Sequence, residues 1–380
     1  MLVGLAALSL AAWLWLLLFR GRFWLSGPTL PSPSFPVPPL RVTAVIPARD
    51  EAEHIGTALR SLLAQSFAGE LRVVIVDDNS TDGTGDLARA TAAYDQRLMV
   101  VTGQPLPPGW TGKMWAVAQG LRQPEAQSAD YVLLTDADIV HGPTHVAALT
   151  AKAASEDLGL VSEMVQLRCE TFAERATIPA FVFFFQMLYP FRWAVHPTRR
   201  TAAAAGGTML VARKALDSIA GVDRIRGALI DDVAQAQQIK AARYRIWLGH
   251  AEAAHSQRRY PRLADVWSMI ARTAYVQLRY SPLLLLGTCL GMLALYALPV
   301  TAALALPSPA RWLGISAWLT MAIILQPTLR RYRCSPLWGL ALPAIAMFYL
   351  AATCGSAWRF YRGRGGQWKN RAYPATRPGE

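Results

Sequence analysis

The chain has 380 residues, of which 53% are hydrophobic, and a formal net charge of +13. A single core rarely exceeds about 250 to 300 residues, so this length fits one large domain with membrane segments and argues against two soluble domains. Many basic residues stand beside apolar segments, without the aromatic interleaving of single-strand grooves. The charge therefore predicts contact with a lipid bilayer and no nucleic-acid partner.

The N-terminal segment Leu2 to Phe19 contains no charged residue and is only just long enough to cross a bilayer. A signal peptide is the alternative, but Arg20 and Arg22 follow the apolar run instead of preceding it. With these arginines inside, the next domain faces the cytosol. We therefore predict an anchor in the cytoplasmic (inner) membrane over residues 1–25 and an extended Pro-rich linker over 26–40.

From Arg41 to about Arg245, short β-branched runs alternate with amphipathic stretches, a pattern typical of a mainly parallel sheet covered by helices. The predicted strands are Val42–Ile46, Leu71–Val76, Leu98–Val101 and Tyr131–Thr135. The predicted helices are Glu53–Leu63, a segment through Leu87, Lys113–Leu121 and Val233–Lys240. The fold class is therefore α/β.

Acidic residues follow three of the predicted strands. Asp50-Glu51 follows the first, Asp77-Asp78 ends the second, and Asp136-Ala137-Asp138 follows the fourth. Ligands bind outside the carboxyl ends of strands in open α/β sheets, and two carboxylates two positions apart suit a hard divalent cation. Each acid also has an alternative role in a loop or helix cap. Three coincidences are less expected than one nucleotide pocket with a metal.

Two stretches are predicted to contact the membrane surface. Residues 261–280, with Leu263 to Leu278 at their centre, form an amphipathic pattern, and Ala180 to Pro190 is rich in phenylalanine. Core packing is the alternative for the phenylalanine run. Such segments would bring the pocket to the bilayer, which favours a lipid acceptor.

Residues 281–358 contain three apolar segments, Leu283–Ala305, Trp312–Gln326 and Leu337–Ala357, and so two or three spans. Three crossings would place the basic tail 359–380 outside, against the positive-inside rule. We therefore expect one segment to be re-entrant or interfacial, and the short one, Trp312–Gln326, is the best candidate.

Three sequence segments together resemble the family 2 glycosyltransferases of the GT-A fold. They are Val45-Ile46-Pro47-Ala48-Arg49-Asp50-Glu51, Val76 to Thr84 with its Asp77-Asp78-Asn79, and Leu134-Thr135-Asp136-Ala137-Asp138. The resemblance covers roughly residues 41–260. It implies nucleoside contacts for Pro47, Asp50 or Glu51, and Asp78. It also implies that Asp136 binds ribose or metal and that Asp138 binds Mn²⁺ or Mg²⁺.

Further segments extend the resemblance. Gly109-Trp110-Thr111-Gly112-Lys113 is similar to a segment of membrane-anchored members, where Lys113 would meet a phosphate of the donor. Ile230-Asp231-Asp232-Val233 matches the family's acidic pair, which implies Asp232 as catalytic base with Asp231 beside it. An acidic helix cap is the alternative.

One motif departs from the family. His255-Ser256-Gln257-Arg258-Arg259-Tyr260 stands where Gln-x-x-Arg-Trp is expected, which argues against processive polysaccharide synthesis. The resemblance leaves His255 as a third metal ligand and Arg258 and Arg259 as diphosphate contacts. Surface roles are equally open for all three.

The chain also carries the segment Arg272-Thr273-Ala274-Tyr275-Val276-Gln277-Leu278-Arg279-Tyr280-Ser281-Pro282. The order of one N-terminal span, the Gly109 to Lys113 segment, this segment and further C-terminal spans most resembles the hopene-associated glycosyltransferases. The resemblance implies inverting transfer of a sugar, from a nucleotide-sugar donor such as a UDP-sugar, to a hydroxyl of a membrane lipid such as a hopanoid. A processive polysaccharide synthase and a catalytically silent membrane scaffold are the alternatives.

Overall fold

The computed structural model describes residues 1–31, 39–363, 367–368 and 371–372. Most of the predicted linker and the end of the basic tail, including Lys369, lie outside the described residues. The main sheet has eight strands. They are β1 Arg41–Ala48, β2 Glu70–Asp77, β3 Leu98–Thr102, β4 Tyr131–Thr135, β5 Ile139–His141, β6 Leu158–Gln166, β7 Thr208–Ala212 and β8 Arg245–Ser256.

Helices cover the sheet and form a separate bundle. Those of the N-terminal half are α1 Leu2–Phe19, α2 Ala52–Leu63, α3 Thr84–Ala92, α4 Gly112–Leu121, α5 Pro124–Gln127, α6 His145–Ser155 and α7 Phe172–Leu188. The others are α8 Phe191–Ala194, α9 Arg213–Ser218, α10 Asp231–Ala241, α11 Leu263–Gln277, α12 Pro282–Met292, α13 Leu298–Ala305, α14 Ala310–Arg331 and α15 Trp338–Tyr361. A 3-10 turn covers Asp223–Ile225, a π turn covers Leu293–Ala297, and a short pair of strands, β9 Gln367–Trp368 and β10 Arg371–Ala372, follows α15.

The predicted parallel sheet is found in one half of the observed sheet. The strand order is β3-β2-β1-β4-β7-β6-β8-β5. Strands β3, β2, β1 and β4 are mutually parallel, whereas β7 runs antiparallel to both β4 and β6. The sheet is therefore mixed, and the strands beyond β4 lay outside the regular alternation of the sequence.

Helices cover both faces of the sheet, so its central strands are buried on both sides. In β1 every residue after Arg41 is buried. Val45 belongs to the core with Met114 of α4, and its neighbour Ile46 belongs to the opposite core with Leu59 of α2. This burial explains the continuous apolar run of the sequence.

Within the described residues, four helical segments are long and apolar enough to cross a membrane: Leu2–Phe19, Pro282–Ala305, Ala310–Arg331 and Trp338–Tyr361. The third corrects the short segment expected at Trp312–Gln326. Its helix has 22 residues because it continues through Pro327 to Arg331. Pro327 and the basic end had marked the boundary in the sequence.

Helices α7 and α11 pack directly against the bundle formed by the long apolar helices. Phe183 of α7 and Val266 of α11 share one buried core with Trp13 of α1 and Met321 of α14. A capping box between Thr171 and Glu174 fixes the start of α7. Of the phenylalanine run, Phe183 is buried in this core, and Phe181, Phe184 and Phe185 are half-buried against it or against a neighbouring core.

Helix α15 contacts α7 and α11 at three points along its length. Trp338 at its start packs on Phe172, with ring centroids 5.4 Å apart. The Tyr349 hydroxyl donates to the carbonyl of Thr177 at 2.9 Å. At its end, the Tyr361 hydroxyl lies 2.9 Å from that of Tyr275. One end of this helix therefore touches α7, and the other end touches α11.

Candidate active site

The acidic strand ends meet at one edge of the sheet, because β2, β1 and β4 are parallel neighbours. A cavity of about 910 Å³ opens at this edge. Its wall includes eight residues predicted from the sequence: Pro47, Glu51, Lys113, Asp136, Asp138, Asp231, Asp232 and Arg258. The fold thus gathers side chains that are up to 211 positions apart in the sequence.

Asp136 lies just past the end of β4, in a loop that also carries Asp138. Thr135, the last residue of β4, donates its hydroxyl to the carbonyl of Gly207 at 2.8 Å, which ties the loop to β7. Burial, which Lys113 partly offsets, and the carboxylates of Asp138 and Asp231 raise the pKa of Asp136. Negative charge is therefore crowded at this loop.

Lys113, in the first turn of α4, bridges two acids from different elements. Its Nζ lies 3.0 Å from Oδ1 of Asp136 and 3.1 Å from Oδ2 of Asp231. Burial alone would lower the pKa of Lys113, but these two carboxylates outweigh it and raise the pKa. The lysine is therefore a fixed cation between the strand-end acids and the start of α10.

Asp232 is held by backbone donors at the start of α10. Its Oδ2 accepts a hydrogen bond from the Gly206 amide at 2.9 Å, and its Oδ1 accepts one from the Val233 amide at 2.7 Å. Burial, followed by the charge of Asp231, raises the pKa of Asp232 to about 7. A carboxyl group with this pKa can exchange a proton near neutral pH.

The last residue of β8 and the segment that follows it contact Asp138. Ser256 donates its hydroxyl to Oδ2 of Asp138 at 2.5 Å. Arg258 places Nε 3.4 Å from the same oxygen and Nη2 2.6 Å from Oε1 of Glu51. Burial would lower the pKa of Arg258, but Asp138 and Glu51 raise it above its ordinary value.

Four predicted residues lie outside the cavity wall. His255 and Arg259 are exposed. Side chains alternate along a strand, so His255 points away from the face on which Ser256 meets Asp138. Asp50 accepts a hydrogen bond from the Thr81 amide at 2.8 Å. Asp78 is fully buried, with Nη1 of Arg49 at 3.5 Å from its Oδ2.

Four buried polar side chains form a hydrogen-bonded series that begins at Thr135, directly before Asp136. The Thr135 hydroxyl lies 3.1 Å from Nε2 of His141, whose Nδ1 lies 2.8 Å from Nδ1 of His145. Nε2 of His145 lies 2.5 Å from Oε2 of Glu163. Each of these groups has a partner, which limits the cost of burying them.

The opposite wall of the cavity comes from α7, α11 and α15. Helix α7 contributes Phe181 and Phe185, α11 contributes Met269 and Arg272, and α15 contributes Ser356 and Arg359. The acidic sheet edge and the helices packed on the membrane bundle therefore face the same space.

A family model described as "Glycosyltransferase like family 2" matches residues 38–275 of this chain. The chain belongs to this family. The α/β core is a GT-A-like mixed fold, and the protein is a glycosyltransferase.

One relative by sequence and one solved structure are similar to this glycosyltransferase. An undecaprenyl-phosphate mannosyltransferase of Micrococcus luteus is 32% identical over 126 residues, which cover 33% of this chain and 49% of the relative. The match thus spans about half of that relative. The solved mannosyltransferase of Pyrobaculum calidifontis, in complex with GDP-Man and Mn²⁺, is 20% identical, with a TM-score of 0.56 over 94% of this chain and 99% of that one. The second likeness concerns the fold.

The carboxylates on one loop of this family 2 glycosyltransferase suit a hard divalent cation. Asp136 and Asp138 are two carboxylates on one loop, and Mg²⁺ or Mn²⁺ usually takes one or two carboxylates together with phosphate and water. Within the described residues, no three His, Cys, Asp or Glu side chains form a complete cage. Asp136 and Asp138 are therefore the carboxylates of this loop whose chemistry is consistent with a divalent cation.

Sequence reasoning gave no role to three residues of the cavity wall. Ser256 was noted only as a departure from a motif, yet it contacts Asp138. Arg359 had been interpreted as a topology signal. Arg272 had been interpreted as part of an amphipathic helix and of the segment 272–282 that resembles the hopene-associated glycosyltransferases, without a role of its own. The position of Arg272 among the apolar residues of that helix is the signal that could have identified it.

Proposed function

We propose that this glycosyltransferase moves a sugar from a nucleotide-diphosphate donor to a hydroxyl of a membrane lipid, with inversion at the anomeric carbon. The observation that supports this most directly is the shared cavity. One wall carries Asp136 and Asp138 from the sheet edge and Asp232 from the start of α10. The other wall belongs to α7, α11 and α15. An acceptor can therefore approach from the membrane side while the donor occupies the sheet edge.

In this proposal Pro47 and Glu51 lie beside the nucleoside, and Asp50 and Asp78 shape the loops around it. Asp136 and Asp138 would hold Mn²⁺ or Mg²⁺, which when bound neutralises charge on the departing diphosphate. Lys113 and Arg258 add fixed positive charge on either side of these acids. Neither His255 nor Arg259 is included, because both side chains are exposed outside the cavity wall.

Asp232 is the proposed base. The hydroxyl of the acceptor attacks the anomeric carbon as the bond to the diphosphate breaks, and its proton passes to a carboxylate oxygen of Asp232. The two backbone amides that bind Asp232 fix its direction. Asp231, paired with Lys113, keeps a second negative charge nearby and so raises the basicity of Asp232.

The finer choices of substrate are part of the proposal. The sequence resemblance favours a UDP-sugar and a hopanoid-type lipid, whereas the two relatives described above are mannosyltransferases. A panel of UDP- and GDP-sugars therefore has to be compared.

The test uses the full-length protein in lipid nanodiscs with Mn²⁺ or Mg²⁺, radiolabelled nucleotide sugars and an added lipid extract. We expect label in the organic phase, dependent on the metal and lost in Asp232→Asn. Label only in a water-soluble polymer would instead identify a polysaccharide synthase. Metal-dependent nucleotide binding without transfer to any product would identify a silent scaffold.

A further inference from the structure

The basic side chains on the cavity wall fall into two pairs with different surroundings. Lys113 lies between Asp136 and Asp231, and Arg258 contacts Asp138 and Glu51. Arg272 of α11 and Arg359 of α15 form no ion pair with any residue in the described part of the chain. Both side chains are exposed, and both line the cavity.

The packing of α11 against α15 places these two arginines on one wall. Ser356 donates its hydroxyl to the carbonyl of Ala271 at 2.6 Å and accepts from the amide of Tyr275 at 3.1 Å. Arg272 follows Ala271 directly, and Arg359 lies about one helical turn beyond Ser356. The two cationic residues therefore flank the same helix crossing.

This wall is close to the catalytic acids. Gln277, at the end of α11, donates to the hydroxyl of Tyr189 at 2.7 Å. This bond joins the end of α11 to the residue that follows α7. Arg258, whose Nε lies 3.4 Å from Oδ2 of Asp138, precedes the start of α11 by five residues, and Met269 and Arg272 of α11 line the same cavity. A group bound between the arginines would thus lie near the acidic end of the cavity.

The charge balance favours an anionic group at this position. Carboxylates already dominate the sheet wall, so an acceptor bearing a negative charge would be repelled unless cations met it. Two guanidinium groups without carboxylate partners supply that attraction, and guanidinium matches the geometry of phosphate oxygens. The intervening surface is apolar and suits a hydrocarbon chain; it includes Phe181, Phe185, Met269, Val276 and Phe360.

We propose that Arg272 and Arg359 bind the phosphate of an anionic acceptor lipid, whose hydrocarbon chain lies against α7 and α11. The proposal rests on the proposed function, because it assigns this cavity to the acceptor. It narrows the acceptor from any membrane lipid to one that carries a phosphate in addition to the hydroxyl that attacks, so the probes below test recognition of the phosphate alone.

Direct binding tests this site without turnover. The wild type, Arg272→Gln, Arg359→Gln and the double variant are compared in detergent, without donor or metal. The probes are farnesyl phosphate, farnesol, dihexanoyl-phosphatidylglycerol and inorganic phosphate. Arg330→Gln is the matched control, because Arg330 is an exposed arginine at the end of α14 outside the cavity wall.

We expect a phosphate-bearing lipid to bind the wild type more tightly than farnesol. Each single variant should weaken that binding about tenfold to a hundredfold, the usual effect of losing a hydrogen bond to a charged group. Arg330→Gln should match the wild type. Arginine dependence with farnesyl phosphate identifies a phosphate monoester, and dependence with phosphatidylglycerol identifies a phosphodiester headgroup. Either result supports the site.

Two results would overturn the site. One is equal affinity for farnesyl phosphate and farnesol together with unchanged binding of phosphatidylglycerol in the double variant. The other is arginine dependence with inorganic phosphate alone. Nucleotide binding is measured in parallel as the thermal shift with UDP, GDP and Mn²⁺, and it should be the same in all variants. If the proposed function is wrong, the wild type transfers no sugar to lipid. If only this inference is wrong, the arginine variants transfer sugar as well as the wild type.

Discussion

The Gly206 amide donates a hydrogen bond to Oδ2 of Asp232 at 2.9 Å. Gly206 lies in the loop before β7, and Asp232 lies in the first turn of α10. A methyl group on Gly206 would come within 3.5 Å of the same carboxylate oxygen. The absence of a side chain therefore leaves room beside the proposed base, where the reacting groups have to meet.

Removal of that base tests the assignment of Asp232. Asp232→Asn keeps the size of the side chain but cannot accept the proton, so kcat should fall about 10² to 10⁴-fold. Binding of the nucleotide with Mn²⁺ should persist, as measured by thermal shift. Asp157→Asn is the matched control, since Asp157 is an exposed aspartate paired with Lys214 at the far side of the domain. Full activity in Asp232→Asn would refute the role.

The pH dependence of kcat/KM follows from the raised pKa. Burial and Asp231 raise the pKa of Asp232 to about 7, so the base is ionised above this pH and protonated below it. Activity should therefore fall about tenfold per pH unit below pH 7. In Asp231→Asn one cause of the raised pKa is gone, so the acid limb should move to lower pH. A limb that does not move would assign it to another group.

The same shift predicts a change in the free energy of unfolding. A carboxyl whose pKa is higher in the folded state favours folding less as pH rises from its ordinary range to about 7. Replacement by asparagine removes this pH-dependent loss, so Asp232→Asn should gain stability relative to the wild type as pH rises from 4 to 8. Denaturant unfolding of both proteins across this range measures the difference; parallel pH profiles would contradict the prediction.

Metal affinity should depend on the serine that contacts Asp138. Ser256 donates to Oδ2 of Asp138, and groups that orient a metal ligand typically contribute about 10 to 100-fold in affinity. Titration of Mn²⁺ in the presence of UDP should show a loss of that size in Ser256→Ala and a larger loss in Asp138→Asn. Ser218→Ala is the control, because its hydroxyl only contacts the carbonyl of Ala215. Equal Mn²⁺ affinity in all four proteins would remove Asp138 from the metal site.

The contacts of α15 predict that this helix does not cross the membrane. Trp338 and Tyr361, at its two ends, contact Phe172 of α7 and Tyr275 of α11, the two helices that also line the cavity. In a cysteine-free background, Leu337→Cys and Arg362→Cys should react with an impermeant thiol reagent from the same side as Arg122→Cys, which marks the catalytic domain. Pro307→Cys, between α13 and α14, should react only from the opposite side.

The opposite result has a clear meaning. If Arg362→Cys is labelled together with Pro307→Cys, α15 spans the bilayer and the basic tail lies across the membrane from the catalytic domain.

The sequence determined the first half of the sheet and its acidic edge. The apolar runs of the sequence predicted β1, β2 and β4. Glu51, Asp136 and Asp138 could be predicted as cavity residues because they follow the ends of these strands in the sequence. Three of the four helices that are long and apolar enough to cross a membrane in the described residues were equally visible as long apolar runs, whereas α14 was predicted too short. The family resemblance supplied Asp231 and Asp232.

Only the tertiary structure decided which distant residues share the cavity. Ser256 follows Asp138 by 118 positions, and their contact depends on the placement of β8 beside β6 and β5, which no local pattern encodes. Likewise, Arg272 and Arg359 are both surface-type residues in the sequence. They face one cavity because Ser356 joins α15 to α11, and such long-range packing depends on the shapes of two helices at once.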